Sequence, residues 1–419
     1  MTQHLSTEVA IVGAGVIGLA IAHRLAREGR EVLLIDAEAP GAGASYGNAG
    51  TIADYAVMPV GSPAVLRNLP SLLFDRNSPR AIRRAALPSL MPWLLRFTRE
   101  STSARTIHNA GVIAALMADA AASWVELAGE IGGAEILQHR GALYMYERKE
   151  DFCRASTDMS ERRRLGVTVD LIPPAELAAM EPNLPGVDGG AAFFPKALFL
   201  SDPGQMVALL AKAAVATGVR IFRGRVEGLQ RQFDGVKLAG FDAEAAPFEV
   251  HAQRVVIAAG AHSKALARQA GDRVPLETER GYHVEYDMEV PLLSRPTCPT
   301  SRGFYMCPMA GRLRIAGTVE LGGLTAPPSR QRIARLEEGA RAIFPNLPQP
   351  ARTWMGFRPS LPDSVPVIGP SKGGAEVMLA FGHGHVGLTL APITARLISE
   401  TLAGRMPQGA LAGALPARF

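Results

Sequence analysis

The residues best spaced for chemistry lie at the start of the chain. Residues 8–12 (EVAIV) read as a short buried strand, and Gly13-Ala14-Gly15-Val16-Ile17-Gly18 follows directly. A helical pattern continues through Glu28, Gly29 ends it, and residues 31–36 (EVLLID) read as a second strand. Such a β-α-β unit can hold a pyrophosphate at its helix N-terminus, where unpaired N–H groups and the helix dipole favour negative charge. Gly13 permits the tight turn, Gly15 lets the backbone approach the phosphates, and Gly18 lets helix and strand pack closely. Asp36, with Ala37 beside it, is placed to accept a ribose hydroxyl and would repel a 2′-phosphate. The spacing predicts dinucleotide binding.

A second glycine-rich stretch, residues 41–52 (GAGASYGNAGTI), follows the second strand. Its N–H groups, with Ser45 and Asn48, can bond pyrophosphate oxygens and a flavin edge, and Ala49, Gly50, Thr51 and Ile52 continue it. An NAD enzyme usually has no need of this loop, whereas an extended FAD does. The glycine fingerprint, the acid and the Ser-x-x-Asn-Ala-Gly pattern resemble FAD-dependent amine oxidoreductases of the D-amino acid oxidase superfamily. Within it they are most similar to the bacterial D-amino acid dehydrogenase small subunits.

That resemblance implies roles for distant segments. Val226, on the strand expected at residues 219–228, is either a backbone contact to adenine or an ordinary buried valine. Ala259 and Gly260 end an apolar strand and approach the cofactor, with Ser263 capping the helix that follows. Gly356-Phe357-Arg358-Pro359 matches a superfamily segment in which the arginine holds the substrate carboxylate. A planar guanidinium does this bidentately and so fixes orientation. Gly382, His383, Gly384, His385, Val386, Gly387, Leu388 and Thr389 form a glycine loop running into a helix. Backbone N–H groups there would stabilise charge on a reduced flavin. A backbone role for the glycines is preferred to a base at His383 or His385. Tyr282 and Tyr305 are expected as further carboxylate contacts, and His283 as a catalytic neighbour.

The implied reaction moves the Cα hydrogen of a D-amino acid to flavin N5 as hydride. The imino product hydrolyses to a 2-oxo acid, or stays cyclic. The segments at 279–284 and 317–320 resemble D-hydroxyproline dehydrogenases, which points to cis-4-hydroxy-D-proline as a specific substrate. Rival readings are a sarcosine- or glycine-type amine oxidase, a 2-hydroxy acid dehydrogenase, a flavin subunit inactive without its partner, and an NAD dehydrogenase. FAD is expected to be non-covalent: residues 356–363 lack Cys, and residues 45–50 lack His. The electron acceptor would be a quinone or a partner redox protein.

These residues need a scaffold. Residues 60–135 read as helices broken at Pro59, Pro63, Pro70, Pro79, Pro88 and Pro92. Period-two patterns from 277 to 320 read as antiparallel strands. The fold class expected is α/β, or α+β overall. A Rossmann-like FAD domain at 1–60, 201–272 and 352–419 would carry an inserted substrate domain at 61–200 and 273–351, built on an antiparallel sheet plus helices. Gly is 43 of 419 residues, about 10% against a usual ~7%, and these loops account for much of the excess.

The net charge of +5 is a small basic excess, and no nucleic-acid motif accompanies it. Arg162, Arg163 and Arg164 read as a solvated helix face. Arg83, Arg84 and Arg96 flank an apolar segment that is either a packed helix or a membrane-docking one. Three scattered Cys favour a reducing compartment, and no metal spacing occurs. No membrane span or targeting segment is expected. The location expected is the cytoplasm, with peripheral attachment to the membrane as the variant.

Overall fold

The structure is a computed structural model that describes residues 2–67 and 80–419; Pro70 and Pro79 lie outside it, as does the side chain of Arg84. Two sheets organise the chain. In a seven-stranded sheet, Gln3–Val12 lies between Val32–Asp36 and Pro247–Ile257 and runs parallel to both. Arg220–Gln232 extends the parallel set on one side and Gly374–Phe381 on the other. Val9, Ile11, Leu34, Ile35, Val255, Val256, Val377 and Leu379 are all fully buried. Near-continuous apolar runs are what a parallel sheet covered on both faces requires. The helix Val16–Arg27 packs against the helix Gly387–Leu402, and Ser399 Oγ donates to Glu28 Oε2 at 2.6 Å.

The second sheet has nine strands. Arg352–Ser360 forms one edge, followed by Glu277–Asp287, Arg312–Leu321 and Phe304–Met309 in antiparallel array. Thr297–Pro299, Ala142–Tyr146, Gly190–Phe194 and Asp170–Ile172 complete the path, and the ninth strand, Arg80–Ile82, pairs with Arg312–Leu321 off it. The strand Arg352–Ser360, assigned from sequence to the cofactor unit, therefore hydrogen-bonds within the other sheet. Gly190–Phe194 lies in this sheet, whereas Leu198–Leu200, close behind it in sequence, pairs with Thr51–Ile52 in a separate small sheet.

The helix Arg330–Arg341 and the residues after it cover one face of the nine-stranded sheet, where Tyr282, Val284, Tyr286 and Ile315 meet Leu336, Ala340 and Ile343. The other face turns to the glycine loops. Ser103–Met117 and Ala120–Glu130 together make the one apolar helical stretch, among the described residues, long enough to cross a bilayer; sequence had led us to expect none. Val112, Ile113, Leu116, Trp124 and Leu127 from it join the main core, and Trp124 Nε1 donates to Leu388 O at 2.9 Å.

Two basic clusters differ from the sequence reading. Arg162 is 9% exposed, not solvated. Arg83 pairs with Glu320 at 3.0 Å and donates to Pro327 O, so it does not belong to a free basic face.

A buried ion cluster joins the glycine loop to the nine-stranded sheet. Glu285 Oε1 accepts from Arg314 Nε at 2.8 Å and Arg312 Nε at 3.0 Å, and Oε2 accepts from Arg352 Nε at 2.7 Å. Arg314 Nη1 then donates to Asn48 O at 2.6 Å and Tyr46 O at 3.1 Å. Burial alone would raise the Glu285 carboxyl, but the Arg314 charge and the bonds from Arg352 and Arg314 override it and hold it down to about 2. A depressed carboxyl stabilises the fold fully above its ordinary value of 4.5, and that stabilisation is lost as pH falls through about 2. Glu285→Gln should cost about 3 kcal/mol near neutral pH, because it leaves Arg314 buried without its partner. The wild type's lead in melting temperature should shrink on titration from pH about 5 to about 2.5; a lead constant across that window would show that the charge is not what holds the joint.

Candidate active site

The glycine turn is built for close approach. Gly13 has φ +113°. A Cβ there would overlap Ala258 O, and one at Gly18 would overlap Gly13 O. The helix N-terminus behind it, with Gly15 as N-cap, has no cap from its own side chain. Instead Val16 N donates to Ser45 Oγ at 2.9 Å, and Gly41 N donates to Ala14 O at 2.8 Å. The two glycine loops therefore meet, with Ile17 in the first helical turn. Asp36 accepts from Ala14 N at 2.6 Å and from Glu38 N at 2.9 Å. It orders the turn as well as facing outward at the strand end, and each oxygen keeps a second lone pair.

Asn48 differs from expectation. Its Nδ2 donates to Ser45 O and its Oδ1 accepts from Gly50 N at 2.7 Å, so the side chain shapes the loop from within. Ala49 and Gly50, with φ +70°, lead into Thr51–Ile52, and Ile52 is wholly buried in the core. Ala53 N donates to Thr389 Oγ1 at 3.0 Å, which ties this loop to the C-terminal helix. Val226 lies beyond the C-terminal end of Val32–Asp36, where the parallel pairing has stopped at Arg223. Ala259 and Gly260 follow Ala258, whose N–H donates to Val12 O. Ser263 does not cap its helix: it is the first helical residue, and its buried Oγ has no partner.

The C-terminal loop also needs correction. The N–H of Gly384 is taken by Pro359 O at 2.7 Å. Val386 is the N-cap, so the unpaired donors are the first-turn N–H groups of Gly387, Leu388 and Thr389. His383 is turned into the helix, with Nε2 3.0 Å from Thr394 Oγ1. Burial pushes it down to about 3, so it stays neutral and cannot serve as a base. His385 reaches the other way, to Glu279 Oε2 at 2.7 Å.

Arg358, on the edge strand, and Glu279, on the strand beside it, are opposite each other in register. Arg358 Nη1 donates to Thr318 O at 3.0 Å. A Cβ at Gly281 would overlap its guanidinium, so that glycine makes the guanidinium's place. Burial pulls Arg358 below its ordinary value, and the Glu279 charge opposes this. Gly356 is covered by the Trp354 ring rather than open to a ligand. His283 stacks on Trp354 at 5.1 Å, and its Nδ1 lies 3.1 Å from Gly47 O. Burial and the Arg314 charge hold it down to about 4. It thus holds the cofactor loop in place as a neutral ring and is not an acid or base.

Tyr282 is the clearest departure. Strand alternation puts it on the face away from Arg358, and its hydroxyl donates to Glu320 Oε2 at 2.6 Å beneath the helix Arg330–Arg341. It cannot reach a ligand on the other face. Tyr305 is on the loop-facing side, where its hydroxyl donates to the Tyr144 hydroxyl at 3.1 Å. Tyr55, Tyr144, Glu279 and Trp354 join this face and were missed. Only Glu279 carried a signal, since it leads the period-two series 279, 281, 283.

The residues fit a large polar cofactor. The buried Oγ of Ser360 has no partner and lies 3.8 Å from where a Cβ on Gly384 would sit. A Cβ at Gly43 or Gly260 would meet nothing within 4 Å, which leaves room at the expected contacts. Buried hydroxyls without partners mark ligand space.

Comparison with known proteins agrees. A family model described as FAD dependent oxidoreductase matches residues 8–401. The chain is 36% identical to a D-amino-acid oxidase of Bradyrhizobium diazoefficiens, over 98% of each protein. It is 32% identical to a D-amino acid dehydrogenase of Paramagnetospirillum magneticum, over 95% of each. Among solved structures, glycine oxidase from Geobacillus kaustophilus superposes with TM-score 0.76 at 25% identity, over 99% of each chain. With its glycine turns, its two sheets and this match over nearly its full length, the chain belongs to the FAD-dependent oxidoreductase family.

Proposed function

We propose that the protein oxidises D-amino acids at the Cα–N bond, with a cyclic secondary amine such as cis-4-hydroxy-D-proline among its substrates. The observation that carries this is Arg358 beside Glu279 on the sheet face that meets the glycine loops. A cation and an anion in register match the carboxylate and ammonium of an amino-acid zwitterion. His385 orients Glu279 from the C-terminal loop. Tyr305 adds a neutral hydroxyl on the same face.

In this reading Arg358 fixes the carboxylate, which turns the Cα–H toward the cofactor and makes the step effectively unimolecular. Bound FAD supplies the acceptor for the hydrogen that leaves Cα with its electron pair. The turn at Gly13–Gly18 and the loop at Ser45–Thr51 would hold its pyrophosphate. The first-turn N–H groups of Gly387, Leu388 and Thr389 would favour negative charge at the far end. The amine must be neutral when the hydrogen leaves, and Glu279 is the nearest described carboxylate partner of Arg358 to receive its proton. The resulting imine hydrolyses when acyclic and stays in the ring when cyclic.

The D configuration is supported by the names of the two relatives above. Residues 279–284 and 317–320 support the cyclic substrate. The likeness to a glycine oxidase favours a second reading, oxidation of glycine or N-methyl amino acids.

Anaerobic bleaching of the flavin by D- but not L-amino acids is the expected result; bleaching by sarcosine or glycine alone would favour the second reading. Arg358→Met should lower kcat/KM by about 2 to 4 kcal/mol, on the order of 30- to 1000-fold, because a charge-assisted bidentate contact is lost. Arg358→Lys should recover only part of it, since an ammonium cannot make the paired contact. An unchanged kcat/KM in Arg358→Met would remove Arg358 from the site.

A further inference from the structure

Three phenols meet on the loop-facing side of the nine-stranded sheet. Tyr305 comes from Phe304–Met309 and Tyr144 from Ala142–Tyr146, so in sheet order Tyr305 lies between the strand of Arg358 and that of Tyr144. Tyr55 follows the cofactor loop, two residues after the bond from Ala53 to Thr389. Its ring stacks on Phe194 at 4.0 Å and meets Tyr144 edge-on at 5.5 Å. The cluster therefore lies between the cofactor loop and the sheet, with the strand Arg312–Leu321, which receives the Arg358 guanidinium, next to that of Tyr305.

The hydrogen bonds of this cluster are incomplete. One bond joins Tyr305 to Tyr144. Tyr55 is fully buried; its oxygen lies toward the Tyr305 hydroxyl, but its own hydrogen has no acceptor. Burial raises all three phenols, so they remain protonated donors. Arg162 closes the cluster from behind: Nη1 donates to Tyr55 O at 2.6 Å, Nε donates to Asp158 Oδ2 at 3.2 Å, and the guanidinium sits 5.8 Å from the Tyr144 ring centre. Its charge is already paired with Asp158. A distal carboxylate on a ligand would gain little there over an uncharged oxygen.

We propose that Tyr55 and Tyr144 form a subsite for an uncharged oxygen on the substrate side chain, a hydroxyl or an amide carbonyl. The proposal rests on the D-amino acid reading above. A ligand oxygen would accept from Tyr55 and complete the hydrogen bonding of Tyr144. An apolar group of the same shape would leave the Tyr55 hydroxyl hydrogen buried without an acceptor. Sites built to bond a ligand hydroxyl reject analogues lacking it far more strongly than apolar pockets reject an added hydroxyl.

The test uses the FAD-loaded enzyme and two matched substrate pairs under dye-linked turnover. D-Threonine and D-valine differ by a hydroxyl in place of a methyl; cis-4-hydroxy-D-proline and D-proline differ by the added hydroxyl. The ratio of kcat/KM within each pair is the readout, since a folding or cofactor defect common to both substrates does not move it. The wild type should favour the hydroxylated member by on the order of 10-fold or more in at least one pair. Tyr55→Phe, which keeps the stacked ring, and Tyr144→Phe should each bring that ratio to within about 2-fold of unity. Equal kcat/KM values in the wild type, or a preference that survives both substitutions, would overturn the subsite alone. Failure of both members of both pairs to reduce the flavin would overturn the D-amino acid reading and the subsite with it.

Discussion

The site depends on one buried carboxylate. Glu285 gathers Arg312, Arg314 and Arg352, and Arg314 passes that constraint to the carbonyls of Tyr46 and Asn48. The cofactor loop is therefore positioned by the substrate sheet and not by its own β-α-β unit alone. Trp354 and His283 add a packed surface under Gly47, where any side chain would collide with the indole. In the function proposed above, the distance between the cofactor and a ligand bound at Arg358 would be set by rigid contacts within one sheet. An enzyme transferring hydrogen between two bound molecules needs that separation fixed to fractions of an ångström.

The same sheet explains the arrangement of charge. Arg358 is kept beside Glu279, so the cation is compensated before any ligand arrives. An isolated buried guanidinium would be costly, and a buried pair is tolerable only when its hydrogen bonds are met. Thr318 O and His385 meet part of that need from two different segments.

Much of the cofactor half was legible from sequence because its signals are local. Gly13, Gly15, Gly18 and Asp36 fall within one β-α-β unit, and the parallel strands show as unbroken apolar runs. The substrate half was less legible because its geometry is set by alternation and register. Tyr282 and His283 are adjacent, yet one faces a covering helix and the other faces the loop. A bulge between Arg280 and Tyr282 shifts that register, and nothing in the residue types announces it. Tyr55 and Tyr144 come from separate segments and meet only through the tertiary fold. Arg162 looked like a surface charge because its neighbours Arg163 and Arg164 look the same, and only packing separates it from them. Asn48 and Gly384 were assigned the right loops but the wrong partners, since backbone groups elsewhere take their hydrogen bonds first.

The packing of the first helix on the last has a consequence for how the chain comes into being. Val16–Arg27 buries its apolar face against Gly387–Leu402, and Glu28 and Ser399 bond across 371 positions of sequence. The strand Gly374–Phe381 likewise joins the parallel sheet only near the end of the chain. During synthesis the nucleotide-binding unit emerges well before the two segments that cover its helix, Pro203–Ala216 and Gly387–Leu402. Contacts of such long range make folding slow and leave apolar surface open meanwhile. Truncation at the C-terminus would therefore act on the first thirty residues as much as on the last.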